Sequence, residues 1–280
     1  MILFDGDIIV YRAGFGSDSC PFYRGSFTRA KDLVLHALYK ARQKLNDHSI
    51  CIYLTDSDVH NNARYVLDPT YKQNRKGAKP TTYAKLRQWM VDYLDAEVVT
   101  GIEADDALGL RAHEEGVVIA SIDKDLLTVP GKHYNLLSGE ITVVTNPGYV
   151  YLDDKKTLRG HGFKLFCAQM LMGDRADNVK GLRGYGSVKA YKLLKTKTTI
   201  RSMYATVVRQ YRKAYPGLVY DYSKNGEDFT VRLVARELLD RTGKLLWIQQ
   251  RHTLQELLSK PVSPKDALMY DACPVVEVRG

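Results

Sequence analysis

Residues 117–125 read Val117-Val118-Ile119-Ala120-Ser121-Ile122-Asp123-Lys124-Asp125. The apolar run is β-branched and too short for a helix, so it predicts a strand buried on both faces, with acids at its C-terminal end. Two other runs share this format. Met1 to Phe4 is followed by Asp5, and Ile50 to Thr55 by Asp56. Between them Leu33, Val34, Ala37, Leu38, Ala41 and Leu45 recur at helical spacing. Strand, helix and strand in that order imply a parallel sheet joined by right-handed crossovers. Tyr134 to Leu137, Ser138-Gly139 and Glu140 to Thr145 read as a hairpin, which makes the expected sheet mixed. Asn146-Pro147-Gly148 marks a turn and a boundary between residues 1–148 and 149–280. The second half reads as helical: Phe163 to Met172, a helix carrying Ala190, Leu193 and Leu194, and stretches around Ile200 to Tyr211 and Val231 to Leu246.

The chain has 280 residues, of which 45% are hydrophobic and 26% charged, which fits one large or two closely packed globular domains and argues against disorder. Lys and Arg number 41 against 32 Asp and Glu, and a balance of +9 favours a polyanionic partner, nucleic acid before membrane. Four dispersed cysteines, with no Cys-x-x-Cys pair and no His at zinc-ligand spacing, argue against a disulfide framework and a zinc finger. The N-terminus lacks the features of a signal peptide and no apolar run approaches a spanning length, so a cytoplasmic location is expected.

Asp5, Asp56 and Asp123 all fall at the edge of the sheet where ligands of open α/β folds bind. Any one of them alone reads as a turn or cap residue. Further acids follow in local pairs: Glu103-Ala-Asp105-Asp106 at a helix start, Asp123-Lys-Asp125, and Asp174-Arg-Ala-Asp177. Two carboxylates about 5 Å apart repel by roughly 3 kcal/mol at an effective dielectric near 20. Several on one edge therefore raise one another's pKa or require cations. Oxygen ligands without His or Cys suit Mg²⁺ or Mn²⁺, and two such ions can activate water and stabilise both oxygens in phosphodiester cleavage.

Tyr71-Lys72-Gln-Asn-Arg75-Lys76-Gly-Ala-Lys79, with Lys85 and Arg87, carries six basic residues and no acid between positions 71 and 91. Cations interleaved with Tyr71, Tyr83 and Trp89 are the combination that grips single-stranded nucleic acid. For Trp89 and Tyr93 a helix core stripe is the preferred reading, and for Lys72 and Arg75 a role over the acidic edge. Gly181, Gly184 and Gly186 precede a helix with Lys189, Lys192 and Lys195; such glycines allow close approach of backbone to phosphate.

Together these motifs, in this order from Asp5 to about Leu194, resemble the flap endonuclease or 5′-nuclease superfamily, particularly free-standing phage-type 5′-to-3′ exonucleases. The resemblance implies a PIN-like α/β core, with a basic arch segment over 71–95, and a helix-three-turn-helix region that grips duplex phosphates with help from K⁺. It implies two divalent ions held by Asp5, Asp56, Glu103, Asp105, Asp106, Asp123, Asp125, Asp174 and Asp177. Asp5 is preferred to Asp7 because it precedes Gly6. Lys72 and Arg75 match residues that contact the scissile phosphate, and Tyr71 matches a position near the terminal base. Lys76, Lys79 and Lys189 join them as nucleic-acid contacts, with Gly181, Gly184 and Gly186 at the duplex. The expected activity is hydrolysis of DNA from or near a 5′ end, flap or nick. Duplex exonuclease, flap cleavage and primer removal from an RNA–DNA hybrid share these parts. A monomer is expected; the Pro274-Val-Val-Glu-Val-Arg-Gly280 terminus lacks a sliding-clamp peptide, and no polymerase domain follows. Two rivals compete with this reading: a noncatalytic DNA-structure-binding module on the same scaffold, which would lack some of these acids or the lysine, and a small PIN-type ribonuclease, which would lack the glycine and tyrosine-lysine segments.

Overall fold

The computed structural model describes residues 1–75, 77–216, 218–224, 227–232 and 234–259; Lys76 and the terminus Pro274–Gly280 lie outside them. The chain opens with β1 (Ile2–Asp5), α1 (Gly6–Asp18), α2 (Phe27–Leu45) and β2 (Ile50–Thr55). Then follow α3 (Ala63–Leu67), α4 (Tyr83–Leu94), β3 (Glu97–Val99), α5 (Ala104–Arg111), β4 (Val118–Ser121), β5 (Gly131–Asn135) and β6 (Ile141–Val144). These six strands form one sheet in the order β3-β2-β1-β4-β5-β6. All neighbours are parallel except β5 and β6, which form the expected antiparallel hairpin with Tyr134 opposite Ile141. The result is the mixed, mainly parallel α/β sheet that the sequence predicts.

Alternation along β1 explains the layers. Ile2 and Phe4 face the core formed with α1, α2 and α4, whereas Leu3 faces the core formed with α5 and Ile248. All three are fully buried, each contributing about 1.5–3 kcal/mol relative to exposure. Strand order runs outward in opposite directions from β1 and β4, so the crevice beyond their carboxyl ends is a topological switch point. The sequence carries no signal for β3. That strand is three residues long, with Glu97 and Val98 exposed, and so carries no apolar run.

The remainder comprises a hairpin β7 (Tyr149–Leu152) and β8 (Leu158–His161), α6 (Gly162–Met172), a small hairpin β9 (Gly173–Asp174) and β10 (Val179–Lys180), α7 (Ser187–Leu194) and α8 (Ile200–Ala214). Helix α6 is buried nearly all round, as a helix at the centre of its own core must be. Phe163, Phe166, Met170, Ala190, Leu194 and Met203 build that core. The hairpin β11 (Leu218–Lys224) and β12 (Glu227–Arg232) precedes α9 (Val234–Leu246) and α10 (Leu254–Ser259). The helical stretch expected from Val231 thus starts at Val234. Phe229, Thr230 and Val231 are residue types that favour extended backbone, and the strand claims them. Among the described residues, no helix is long and apolar enough to cross a membrane.

Candidate active site

The crevice at the switch point is lined by seven carboxylates, Asp5, Asp7, Glu103, Asp105, Asp123, Asp125 and Asp177, against three cations, Arg64, Lys72 and Arg75. Local hydrogen bonding at the strand ends sets the first group. Asp5 terminates β1 and caps α1, with Oδ1 accepting from Ile8 N at 3.0 Å. Its Oδ2 accepts from the Ser121 hydroxyl at 2.7 Å, and Ser121 Oγ in turn accepts from Asp123 N at 3.0 Å. Asp123 Oδ1 accepts from Asp125 N at 2.8 Å, so one chain of hydrogen bonds ties the ends of β1 and β4. Asp7, one residue into α1, instead pairs with Arg87 at 2.6 Å.

Burial and crowding leave this group in need of positive charge. Burial, then repulsion from Asp7 and Asp123, pushes the Asp5 carboxyl up to about 7. Burial and Asp123 push Asp125 up to about 7, and burial, then Asp5 and Asp123, hold Asp105 well above the carboxylate range. Among the described residues no ion pair reaches Asp5, Asp105 or Asp123.

A second group is already compensated. The turn after α3 brings Lys72 (φ 55°) into the crevice, where Nζ contacts Glu103 Oε1 at 2.5 Å and lies 3.8 Å from Asp177. Arg75 pairs with Asp177 and keeps about half its side chain exposed. Burial opposes ionisation of Asp177, but Lys72 and Arg75 hold its carboxyl below the usual range. Glu103 also accepts from the Tyr71 hydroxyl at 3.1 Å and from Arg64 at 3.2 Å. Outside the crevice lining, Asp174 accepts from Lys124 Nζ at 2.7 Å and from Ala176 N at 2.7 Å.

Several sequence expectations meet a different geometry. The Tyr71 ring is 2% exposed and packs edge-on against Tyr65, so only its hydroxyl reaches the crevice and its face is closed to a base. Asp106 is 1% exposed and saturated: Arg64 reaches both its oxygens at 2.5 and 2.8 Å, and Glu103 N and Gln249 N also donate to it. It anchors the fold and does not line the crevice. Asp56 lies outside the crevice as well, accepting from Asp58 N, Asn61 and Thr100, and the first of these bonds lowers its pKa most. Gly181 lies against the Met172–Gly173 backbone, an approach made for packing, whereas Gly184 (φ 79°) and Gly186 have no atom within 4 Å of an added Cβ. Gly186 caps α7, and Lys189 Nζ lies 3.5 Å over the Tyr185 ring beside it. Lys79 sits 4.5 Å over Tyr83. Lys76 lies outside the described residues.

Two contributors had no sequence signal. Arg64 also donates to the carbonyls of Leu245 at 3.1 Å and Trp247 at 2.8 Å, tying the end of α9 to the acids. Gln169 on α6 donates to Asp125 Oδ1, while its buried Oε1 has no protein partner among the described residues. Each acts through partners dozens of residues away.

Does this donor set fit a cation? Among the described residues no three His, Cys, Asp or Glu side chains are gathered as a ready-made ligand shell. The set is nonetheless all oxygen, in charge excess, and partly bridged by the ammonium groups of Lys72 and Lys124. Hard divalent ions suit such donors.

A mainly parallel α/β sheet thus carries an oxygen-lined acidic crevice with cationic side chains at its rim, a donor set suited to hard cations. Residues 1–157 match the 5′-3′ exonuclease N-terminal resolvase-like domain, and the chain belongs to that family. It is 26% identical over 216 residues to the 5′-3′ exonuclease of Buchnera aphidicola, covering 74% of each chain. It is 28% identical over 218 residues to the thermostable DNA polymerase I of Thermus thermophilus, covering 73% of this chain but spanning only a quarter, 25%, of that protein. The fold is similar to that of the T5 D15 protein co-crystallised with metal ions, with a TM-score of 0.54, 16% identity and 88% of both chains covered. It is also similar to the bacteriophage T5 D15 flap endonuclease in a complex with DNA and metal ions, with a TM-score of 0.50, 14% identity and 88% coverage of both chains.

Proposed function

We propose that the chain is a divalent-cation-dependent 5′ nuclease that hydrolyses DNA phosphodiesters from or near a 5′ end and leaves a 5′-phosphate. The observation that carries this reading is the group Asp5, Asp105 and Asp123, which no ion pair reaches among the described residues, with Asp125, Lys72 and Arg75 beside it, in a chain of the 5′-3′ exonuclease family. Asp5, Asp105, Asp123, Asp125, Asp174 and Asp177 would hold Mg²⁺ or Mn²⁺, which would supply charge neutralisation and acidify a water for attack. Arg75, half exposed at the rim, orients the scissile phosphate through its guanidinium fork, and Lys72 adds charge where negative charge builds up. Burial of the acids excludes bulk water and strengthens each of these interactions.

Work is divided near Pro147: residues 1–148 hold most of the acids, and residues 149–280 add Asp174 and Asp177 and hold the duplex. The open backbone at Gly184 and Gly186, the amides starting α7 and the Lys189 ammonium offer a phosphate site. A K⁺ ion in this turn fits the same reading. Flapped and nicked duplexes and RNA–DNA hybrids are the substrates to compare.

Product mapping on end-labelled blunt, nicked and flapped duplexes, with Mg²⁺ and with EDTA, tests the reading. Cleavage confined to the Mg²⁺ samples and starting at the 5′ end is expected. Replacing Asp123 or Asp174 by Ala is expected to lower cleavage by at least about a hundred-fold while DNA binding persists. Unchanged cleavage in both variants would contradict the proposal.

A further inference from the structure

Besides Arg64, Lys72, Arg75 and Arg87, one further cation lies against the acids, and the phosphate chemistry proposed above does not use it. Lys124 lies between Asp123 and Asp125, on the turn leaving β4. Its Nζ is 2.7 Å from Asp174 Oδ2 and 3.4 Å from Asp125 Oδ1. A single ammonium thus spans two carboxylates, one following the sheet and one in the β9–β10 hairpin. The Asp174 side chain is 4% exposed, whereas that of Lys124 is 57% exposed. The acid is fixed and the base is free to leave.

We propose that Lys124 is a built-in counter-ion that holds the Asp125–Asp174 position in the cation-free protein and competes there with a divalent ion. The inference rests on the nuclease reading of the site. Its consequence is ordered filling. The side formed by Asp5, Asp105 and Asp123, which no lysine or arginine among the described residues pairs with, takes a cation first. The Asp125–Asp174 side takes one only when the lysine swings out.

An ammonium presents three donors on a flexible four-carbon stem and satisfies two carboxylates with a single positive charge. A small divalent ion demands oxygen ligands in near-octahedral arrangement and cannot share the same two carboxylates with that ammonium. Solvent already surrounds more than half of the Lys124 side chain, so its departure sacrifices little packing. In the empty state the lysine keeps Asp125 and Asp174 from repelling each other. In the loaded state it is surplus, and its competition lowers the apparent affinity of the second ion.

Binding of Mn²⁺ to the full chain without DNA, followed by the EPR signal of free Mn²⁺, tests this with Lys124→Gln and Lys124→Arg. The wild type is expected to show a stronger and a weaker class of ion. Lys124→Gln is expected to tighten the weaker class roughly ten-fold, the effect of removing one unit charge about 3 Å away in a watery site. The stronger class stays unchanged, and Lys124→Arg, which keeps the charge, follows the wild type. In a parallel Mg²⁺ titration the Lys124 Cε resonance, assigned by its loss in the Gln variant, moves as the weaker class fills. A weaker class that is unchanged or loosened in the Gln variant, or a Lys124 resonance that moves with the stronger class, would overturn the inference while leaving the nuclease reading intact. A wild type that takes up no Mn²⁺ would overturn both.

Discussion

Arg64 holds together more of the site than any acid in it. Its guanidinium neutralises Asp106, touches Glu103 and donates to the carbonyls of Leu245, in the last turn of α9, and Trp247, just past it, with the arginine itself 7% exposed. Removing one partner of such a pair leaves a buried charge uncompensated, so Arg64→Leu is expected to destabilise the chain by about 3–5 kcal/mol in urea unfolding. The acids of the crevice act in the opposite sense. Asp5 and Asp125 sit at about 7 in the folded chain against 3.8 unfolded, so the folded state binds more protons between those values. Stability in EDTA is therefore expected to be highest at the acid end of that window and to fall as pH rises from 5 to 8. Saturating Mg²⁺ is expected to flatten the decline, and melting temperatures at each pH measure it. Asp177, held low by Lys72 and Arg75, loses its contribution only at lower pH and does not reverse the slope. Asp5 and Asp123 were legible in the sequence because a strand end is a local pattern. Arg64 and Gln169 were not, because their meaning lies in Asp106 and Asp125, 42 and 44 residues away.

Elements were legible in proportion to their periodicity. The strands β1, β2 and β4 and the helix α2 carry apolar runs or helical spacing, whereas β3 and the two-residue strands β9 and β10 exist only through their pairing. The glycines around that pairing show what spacing alone conceals. A Cβ on Gly181 would stand 2.1 Å from the Met172 carbonyl carbon and 2.3 Å from Gly173 N, both backbone atoms that cannot yield without moving the hairpin. Gly181→Ala is therefore expected to lower stability by about 1–3 kcal/mol, with any loss of DNA affinity following from that. Gly186→Ala meets no atom within 4 Å and has φ −107°, so its fold should be unaffected. If α7 receives a phosphate at its N-terminus, this second variant weakens duplex binding at unchanged melting temperature. Denaturant titration paired with fluorescence anisotropy on one duplex separates the two outcomes.

At the scale of the whole molecule the charge has two signs in two places. The chain carries +9 overall, yet its crevice has seven acids against three bases, so the positive excess lies outside the crevice. Around α7, Lys156, Lys189 and Lys192 flank the open glycine turn. On the nuclease reading, such a distribution would draw DNA in by its backbone and repel phosphate from the acids until cations load there. The physical signature is counterion release. Log affinity for a blunt duplex should fall linearly with log salt, with a slope near −0.9 for each phosphate neutralised. Lys189→Gln is expected to weaken binding equally for unrelated sequences and to make the slope shallower by about one. The cation–π contact with Tyr185 is lost as well, but that ring keeps its hydrogen bond to Gln210 at 2.8 Å, so the turn should hold its shape. An unchanged slope in the variant, measured in EDTA so that cleavage cannot intervene, would place the duplex on another face and detach α7 from DNA binding.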